Sequence, residues 1–584
     1  MDENNSKWVR AAALCELKET DRIVAQVGNR VVLVVRTAAG HLRAIDNRCP
    51  HMGFPLGRGS VNDCILTCHW HHARFDLNTG GTFDQWADDV PSFPVEVRSD
   101  EVWIDIADHE SVPEHHRERL NVGLERNIPL VIAKSSISLS GARDHNGGSA
   151  FLVGLEFGTK YRGDGWGAGL TIHTCMANLS AYLDPQDRPL AVYHGLSAVA
   201  RECNGAPPRF GVRPLPNSVG NADQLKRWFR QFIDVRDEEG AERCITSALR
   251  SGVGKERIAD MLFAAATDHR YIDGGHSLDF TIKALEALDI VGWQLAEQVI
   301  SSLIAGFARA SRMEESNAWR HPIDLVEQLN RVFEQLPMSL HTLRNNRSDQ
   351  QEDLNLMAIL LGDDPQVILD TLLSSLRDGD SPERLAAAVT RAAILRIAQF
   401  PVSNEFSDWD TAHHTFTFAN AVHQGLQRTM SPELVRGIFD AAISVYLNRF
   451  LNVPAARLPQ QEQSSSAPES LLEKLPDLFD CQQRVDESAE LVATYLAAKG
   501  DPDKLLAVIG RLLLREDRNF HTIQMIEAAF RQYTLRRGTP AATEALIAAV
   551  RYLAAHAPTS RAQFQSYEIA RRLHRGEHLF GEHG

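Results

Sequence analysis

Two short boxes near the N-terminus hold the residue types that bind metal through sulfur and nitrogen. They are Cys49-Pro50-His51 and Cys68-His69-Trp70-His71, which reads C-x-H, sixteen residues, C-x-x-H. Two thiolates and two imidazoles at this spacing can grip a binuclear iron–sulfur cluster unevenly. Cysteines on one iron and histidines on the other give a higher potential than four cysteines would. A single zinc ion takes the same Cys2His2 set, although zinc fingers seldom use C-x-H as their first half. The favoured chemistry is one-electron transfer.

The elements that must position these boxes read as short strands. Arg30–Arg36 (Arg-Val-Val-Leu-Val-Val-Arg) is a buried strand, and residues 41–46 alternate like a second one. Residues 52–57 (Met-Gly-Phe-Pro-Leu-Gly) form a Gly/Pro loop whose backbone N–H groups can approach sulfur. Cys64 is expected inside a short strand over 64–67, as a packing residue rather than a ligand. Further strands are expected over 73–80, 94–98 and 102–106, closing a small all-β unit.

Residues 8–107 resemble a Rieske domain of the ferredoxin and ring-hydroxylating-oxygenase kind. The resemblance implies a [2Fe–2S] cluster on Cys49, His51, Cys68 and His71, with electrons entering from a reductase or a ferredoxin. Respiratory Rieske proteins carry an added disulfide between the cluster loops. Its positions fall near Phe54 and Trp70, neither of them cysteine, which implies the lower-potential, cytoplasmic type. The second box departs from the usual Cys-Pro-Trp-His-Gly, reading Cys68-His69-Trp70-His71-His72. That places two further imidazoles beside the ligands.

A chain of 584 residues exceeds one compact core. The fold class expected is multidomain: a small all-β domain over 1–108, a linker over 109–120, and a large all-α domain over 121–584, with lobes dividing near 345–355. Helix starts are marked by Asp364-Pro365, Ser381-Pro382, Ser431-Pro432, Asp501-Pro502 and Thr539-Pro540, each a capping residue before a proline. Residues 459–470 read as a surface loop. A net charge of −15 argues against nucleic acid as a partner. No apolar run approaches the roughly 20 residues of a membrane helix. Eight scattered cysteines make no disulfide framework. The expectation is a cytoplasmic protein acting on a small molecule.

The helical region holds histidines in the company of carboxylates. Asp273 and His276 form D-x-x-H, with His269 one helical turn earlier; Asp410 and His414 form D-x-x-x-H on one helical face. His194 closes an apolar segment at Gly195. A non-haem iron held by some of His194, His269, Asp273, His276, Asp410 and His414 is the expected second metal. The iron motif of ring-hydroxylating oxygenases, D-x-x-H-x-x-x-x-H, is absent at both places. After Asp273-x-x-His276 the place of its second histidine holds Thr281, and after Asp410-x-x-His413 it holds Phe418, so those ligands are not carried over. Glycines at 163, 165, 167 and 169 precede a helix and could cradle phosphate, but lack a Rossmann or P-loop setting and read as a tight loop. The function expected is oxygen-dependent oxidation of a small organic substrate, fed by the cluster. The alternative is an electron carrier or redox sensor whose helical part is a docking scaffold.

Overall fold

The computed structural model describes residues 7–28, 30–107, 113–140, 148–216, 221–341, 354–459, 467–577 and 579. The chain divides into two compact units, one of residues 1–153 with 562–584, the other of residues 154–561.

The first unit contains every β-strand among the described residues. β1 (Trp8–Ala13), β10 (Glu101–Asp105) and β9 (Val95–Arg98) form one antiparallel sheet. β2 (Arg22–Val27), β3 (Arg30–Arg36), β4 (Leu42–Asp46) and β8 (Ser92–Phe93) form a second. β5 (Ser60–Asn62), β6 (Ile65–Thr67) and β7 (Arg74–Asp76) form the third. β3 is apolar from Val31 to Val35 because both its faces are covered. Val32 and Val34 enter a core with Val27, Val102 and Ile104, whereas Leu33 and Val35 enter another with Leu66, Phe75, Cys49 and Cys68. Each buried Val or Leu contributes about 1.5–3 kcal/mol, so the cysteines of both boxes sit in well-supported backbone. Cys64 lies outside β6, in the turn from β5, with φ 62.

The same unit holds the short helix Leu14–Thr20, between β1 and β2, and three that group together: Pro113–Glu125, Pro129–Leu139 and, from the far end of the chain, Ala562–His574. The middle one packs against both others. The stretch expected as a linker over 109–120 lies outside the described residues as far as 112. From Pro113 it is helix, burying Leu120 and Leu124 at i,i+4 spacing together with Arg119, while Glu114, Glu118 and Glu125 stay exposed.

The second unit is helical. Four of the five proline-marked starts open helices, at Pro365–Arg377, Pro382–Ala398, Pro502–Leu514 and Pro540–Ala555. Ser431-Pro432 instead opens a turn, with Ser431 Oγ accepting from the Leu434 N–H, and the helix begins at Arg436. Helix Phe406–Arg428 packs on both His276–Val291 and Phe520–Leu535, and Pro540–Ala555 packs on Phe520–Leu535. The lobe division expected near 345–355, and residues 460–466 of the expected loop, fall outside the described residues except for 354 and 355. Among the described residues no helix is long and apolar enough to cross a membrane.

Candidate functional sites: two cysteine–histidine loops and a three-histidine group

The two boxes fold as near copies of one turn. The Cys49 N–H donates to Phe54 O at 2.8 Å, and the Gly53 N–H returns to Cys49 O at 2.7 Å. In the other loop the Cys68 N–H donates to Ala73 O at 2.8 Å, and the His72 N–H returns to Cys68 O at 3.0 Å. The residue four after each cysteine is left-handed, Gly53 at φ 79 and His72 at φ 63. This shared geometry faces the two thiols toward each other and leaves His51 and His71 on the rims, their ring centroids 4.6 Å apart and nearly perpendicular.

The side chains suit a cluster held unevenly. Cys49 and Cys68 are 2% and 1% exposed, whereas His71 is exposed and His51 half-buried. Cys68 hydrogen-bonds with Cys49, which lowers the Cys68 thiol and raises that of Cys49, burial adding to the rise. Backbone amides of His51 and Met52 point at the sulfur of Cys49, and those of Trp70 and His71 at that of Cys68. Such donors stabilise sulfur-borne negative charge. Burial, then the neighbouring His71 and Lys134, lowers His51 to about 4, keeping the ring neutral as a ligand must be. Its Nδ1 is buried without a hydrogen-bond partner, a costly condition that a metal bond would relieve. These residues fit a [2Fe–2S] cluster. The rings of Phe54 and Trp70, one on each loop, lie 6.1 Å apart.

In the helical unit, His276, His414 and His521 each bring a ring nitrogen to within 4.8 Å of the others. His276 opens its helix after a turn in which Tyr271, Asp273, Gly274 and Gly275 all have positive φ. A Cβ on Gly275 would stand 3.0 Å from the Cβ of Phe418, so glycine lets this turn press against helix Phe406–Arg428, which carries His414. His521 lies one residue into helix Phe520–Leu535, capped by the side chain of Asn519. The Nε2 atoms of His414 and His521 are 3.1 Å apart. Two nitrogens each about 2.1 Å from a common ion, at close to a right angle, stand about 3 Å apart.

Carboxylates orient two of these rings from behind. His276 Nδ1 lies 3.1 Å from Asp279 Oδ2, and Gln524 Nε2 donates to the same oxygen at 2.8 Å. His521 Nδ1 lies 3.4 Å from Asp410 Oδ2, and the Tyr552 hydroxyl donates to Asp410 Oδ1 at 2.6 Å. Holding Nδ1–H against a carboxylate leaves Nε2 as the free donor atom. Burial, then His276 and His521, lowers His414 to about 4. Burial alone would lower His276, but Asp279 outweighs it and raises the ring. Burial works the other way on Asp410, yet His521 and Tyr552 hold its carboxyl low.

Of the six residues expected at a second metal, His276 and His414 meet, and Asp410 stands one step behind through His521. His194 does not join them: its Nε2 lies 2.9 Å from Leu514 O in a helix, Arg188–Cys203, that continues through Gly195. His269 is drawn to Glu314 Oε1 at 2.7 Å, and helix Lys255–Asp268 ends before it, so it shares no helical face with Asp273. Asp273 sits in the turn, its N–H on Ser311 O, and faces His276 only electrostatically. His521 is absent from that expectation, although Asp517 stands four residues before it at the same D-x-x-x-H spacing. The glycine loop before helix Ala168–Leu179 has its own anion: the Gly169 N–H donates to Glu202 Oε2 at 2.7 Å.

Residues 7–94 match the family model described as the Rieske [2Fe-2S] domain. Apoptosis-inducing factor 3 of Homo sapiens is 30% identical over 97 residues, 16% of this chain and 16% of that protein. A 4beta-methylsterol monooxygenase of Methylococcus capsulatus is 42% identical over 45 residues, 8% of this chain and 12% of the relative. Among solved structures, the ferredoxin of carbazole 1,9a-dioxygenase from Nocardioides aromaticivorans aligns at 29% identity and TM-score 0.16, covering 17% of this chain and 98% of the ferredoxin. No family model matches the helical remainder. The N-terminal β structure is a Rieske [2Fe–2S] domain, fused to a large helical region that the family does not reach.

Proposed function

We propose that this chain is a Rieske oxidoreductase in which a cluster on Cys49, His51, Cys68 and His71 supplies electrons, one at a time, to a non-haem iron on His276, His414 and His521. The iron serves oxygen-dependent oxidation of a small organic substrate, RH + O2 + 2 e⁻ + 2 H⁺ → ROH + H2O. The electrons come from an external reductase or ferredoxin through the cluster. The observation that carries this reading is the convergence of three imidazoles, two of them held by carboxylates, in one chain with a one-electron relay. Zinc would accept the same three nitrogens, but it cannot take up an electron. His276, His414 and His521 would hold such an iron through three nitrogens, a set that would supply oxygen-activating chemistry there. The kinship with a protein named as a monooxygenase, confined to the cluster segment, supports the relay half of the proposal.

Iron and acid-labile sulfide in the purified chain test this. The expected ratio is three iron to two sulfide, falling to two and two in His414→Ala with the Rieske absorption unchanged. Two iron per chain in the wild type, after reconstitution with ferrous iron, would sink the helical site and leave an electron carrier or sensor.

A further inference from the structure

Helix Pro129–Leu139 lies outside the residues matched by the Rieske model, yet it sends one side chain to the cluster loop. The Nζ of Lys134 donates to the carbonyl of Pro50, the peptide between the ligands Cys49 and His51. Lys134 also lies within electrostatic reach of Asp88 and Cys49. Asp88 is claimed from its other side: Arg119, on helix Pro113–Glu125, donates to it from Nε at 2.8 Å and to Ala87 O at 2.7 Å. Two cations therefore share one carboxylate beside the loop. Asp89, next in the chain, faces His115 at 3.8 Å.

The position is built rather than incidental. Ala87 and Val90, on either side of Asp88, lie in the same core as Cys49 and Cys68. Helix Ala562–His574 packs on the helix that carries Lys134. It also reaches the cluster loop, since a Cβ on Gly53 would meet Leu573 at 3.1 Å. A cavity of about 860 Å³ adjoins the loop and is lined by Cys49, Pro50, Asp88 and Lys134.

Reduction adds one negative charge to a [2Fe–2S] cluster. A fixed cation within a few ångströms favours the reduced state more than the oxidised one and raises the potential; a fixed anion lowers it. We infer that Lys134 is a positioning residue for the cluster, an ammonium supplied by an added helix that sets the midpoint potential, with Asp88 as its counterweight. The inference rests on the cluster reading above and adds to it the chain's own device for adjusting the driving force.

The test is the midpoint potential of the full-length chain, by spectroelectrochemical titration of the visible absorption. Lys134→Met is expected to lower it, Lys134→Arg to leave it near the wild-type value, and Asp88→Asn to raise it, with the reduced EPR line shape kept. A merely structural lysine would not give shifts of opposite sign in the Met and Asn variants. A wild-type potential in Lys134→Met with an intact cluster overturns the inference, as do shifts of the same sign in both. Should Lys134→Met hold no cluster, Asp88→Asn decides: a rise supports the role, and no change or a fall removes it. A wild type without Rieske absorption after reconstitution would instead fell the cluster reading, and the inference with it.

Discussion

The cluster loops of the β unit both lie between residues 49 and 73, and each closes on its own backbone through the same pair of hydrogen bonds. The three histidines of the helical unit come from helices that begin at residues 276, 406 and 520, and no local turn holds them together. Imidazole is the candidate ligand in both places. In the loops, ring direction follows from turn geometry and from amides aimed at sulfur. Among the helices it is set by carboxylates, each pinned by a further donor, Gln524 on Asp279 and Tyr552 on Asp410. A loop site depends on backbone conformation, and a helical site on packing and on the residues behind its ligands.

The most forceful way to break the comparison is Cys68→Ser. Loss of one thiolate removes a ligand from the cluster, and the expected result is no visible Rieske absorption and no reduced EPR signal. The helical site should still take up ferrous iron, giving close to one iron and no sulfide per chain. Retention of a wild-type EPR signal would mean that Cys68 is not a ligand. Loss of iron from both sites would mean that they do not form independently.

The contrast also explains which site could be read from residues alone. C-x-H and C-x-x-H are local, and their candidate ligands can be picked out by spacing. The unbroken apolar run within β3 likewise exposed a strand covered on both faces. Asp410 and His414 share a helical face, and His276 follows a glycine pair, so two of the three converging imidazoles could be singled out. His521 is harder to read. It stands 107 residues from His414; Asp517 precedes it at D-x-x-x-H spacing, but helix Phe520–Leu535 begins only after Asp517, and packing of three helices brings the ring in. His194 and His269 show the converse. Each looked like a ligand by its company, and each satisfies its ring on a nearer partner, the carbonyl of Leu514 or the carboxylate of Glu314. Helix Pro113–Glu125 was hidden for a related reason: a stripe as narrow as Leu120 and Leu124 is drowned by the charges around it.

A gentler disturbance sharpens the difference between backbone-set and packing-set ligands. Asp410→Asn keeps the size of the side chain but removes the charge that holds the His521 ring. Carboxylates behind metal-bound histidines typically account for roughly 10–100-fold in affinity. Ferrous-iron affinity of the helical site, measured by competition with a chromophoric chelator, is expected to fall within that range while the cluster spectrum stays as it was. An affinity equal to wild type would show that helix packing alone orients His521.

The smallest effect is expected where the two loops differ from each other. Gly53 and His72 occupy the same place in the same turn, both left-handed, but only the first is glycine. A side chain in that conformation costs roughly 1–2 kcal/mol, and glycine removes the cost while giving the unfolded chain more freedom to lose, about 0.5–1 kcal/mol. His72→Gly should therefore stabilise the unit by a net ~0.5 kcal/mol, raising the midpoint of thermal bleaching of the visible absorption by about 1–2 °C. The reciprocal change, Gly53→Ala, forces a Cβ into the left-handed turn and against Leu573 at 3.1 Å. It should lower the same midpoint by more than His72→Gly raises it. If His72→Gly instead lowers the midpoint, the His72 ring makes a stabilising contact that outweighs its backbone strain, and the two loops are equivalent in shape but not in what holds them.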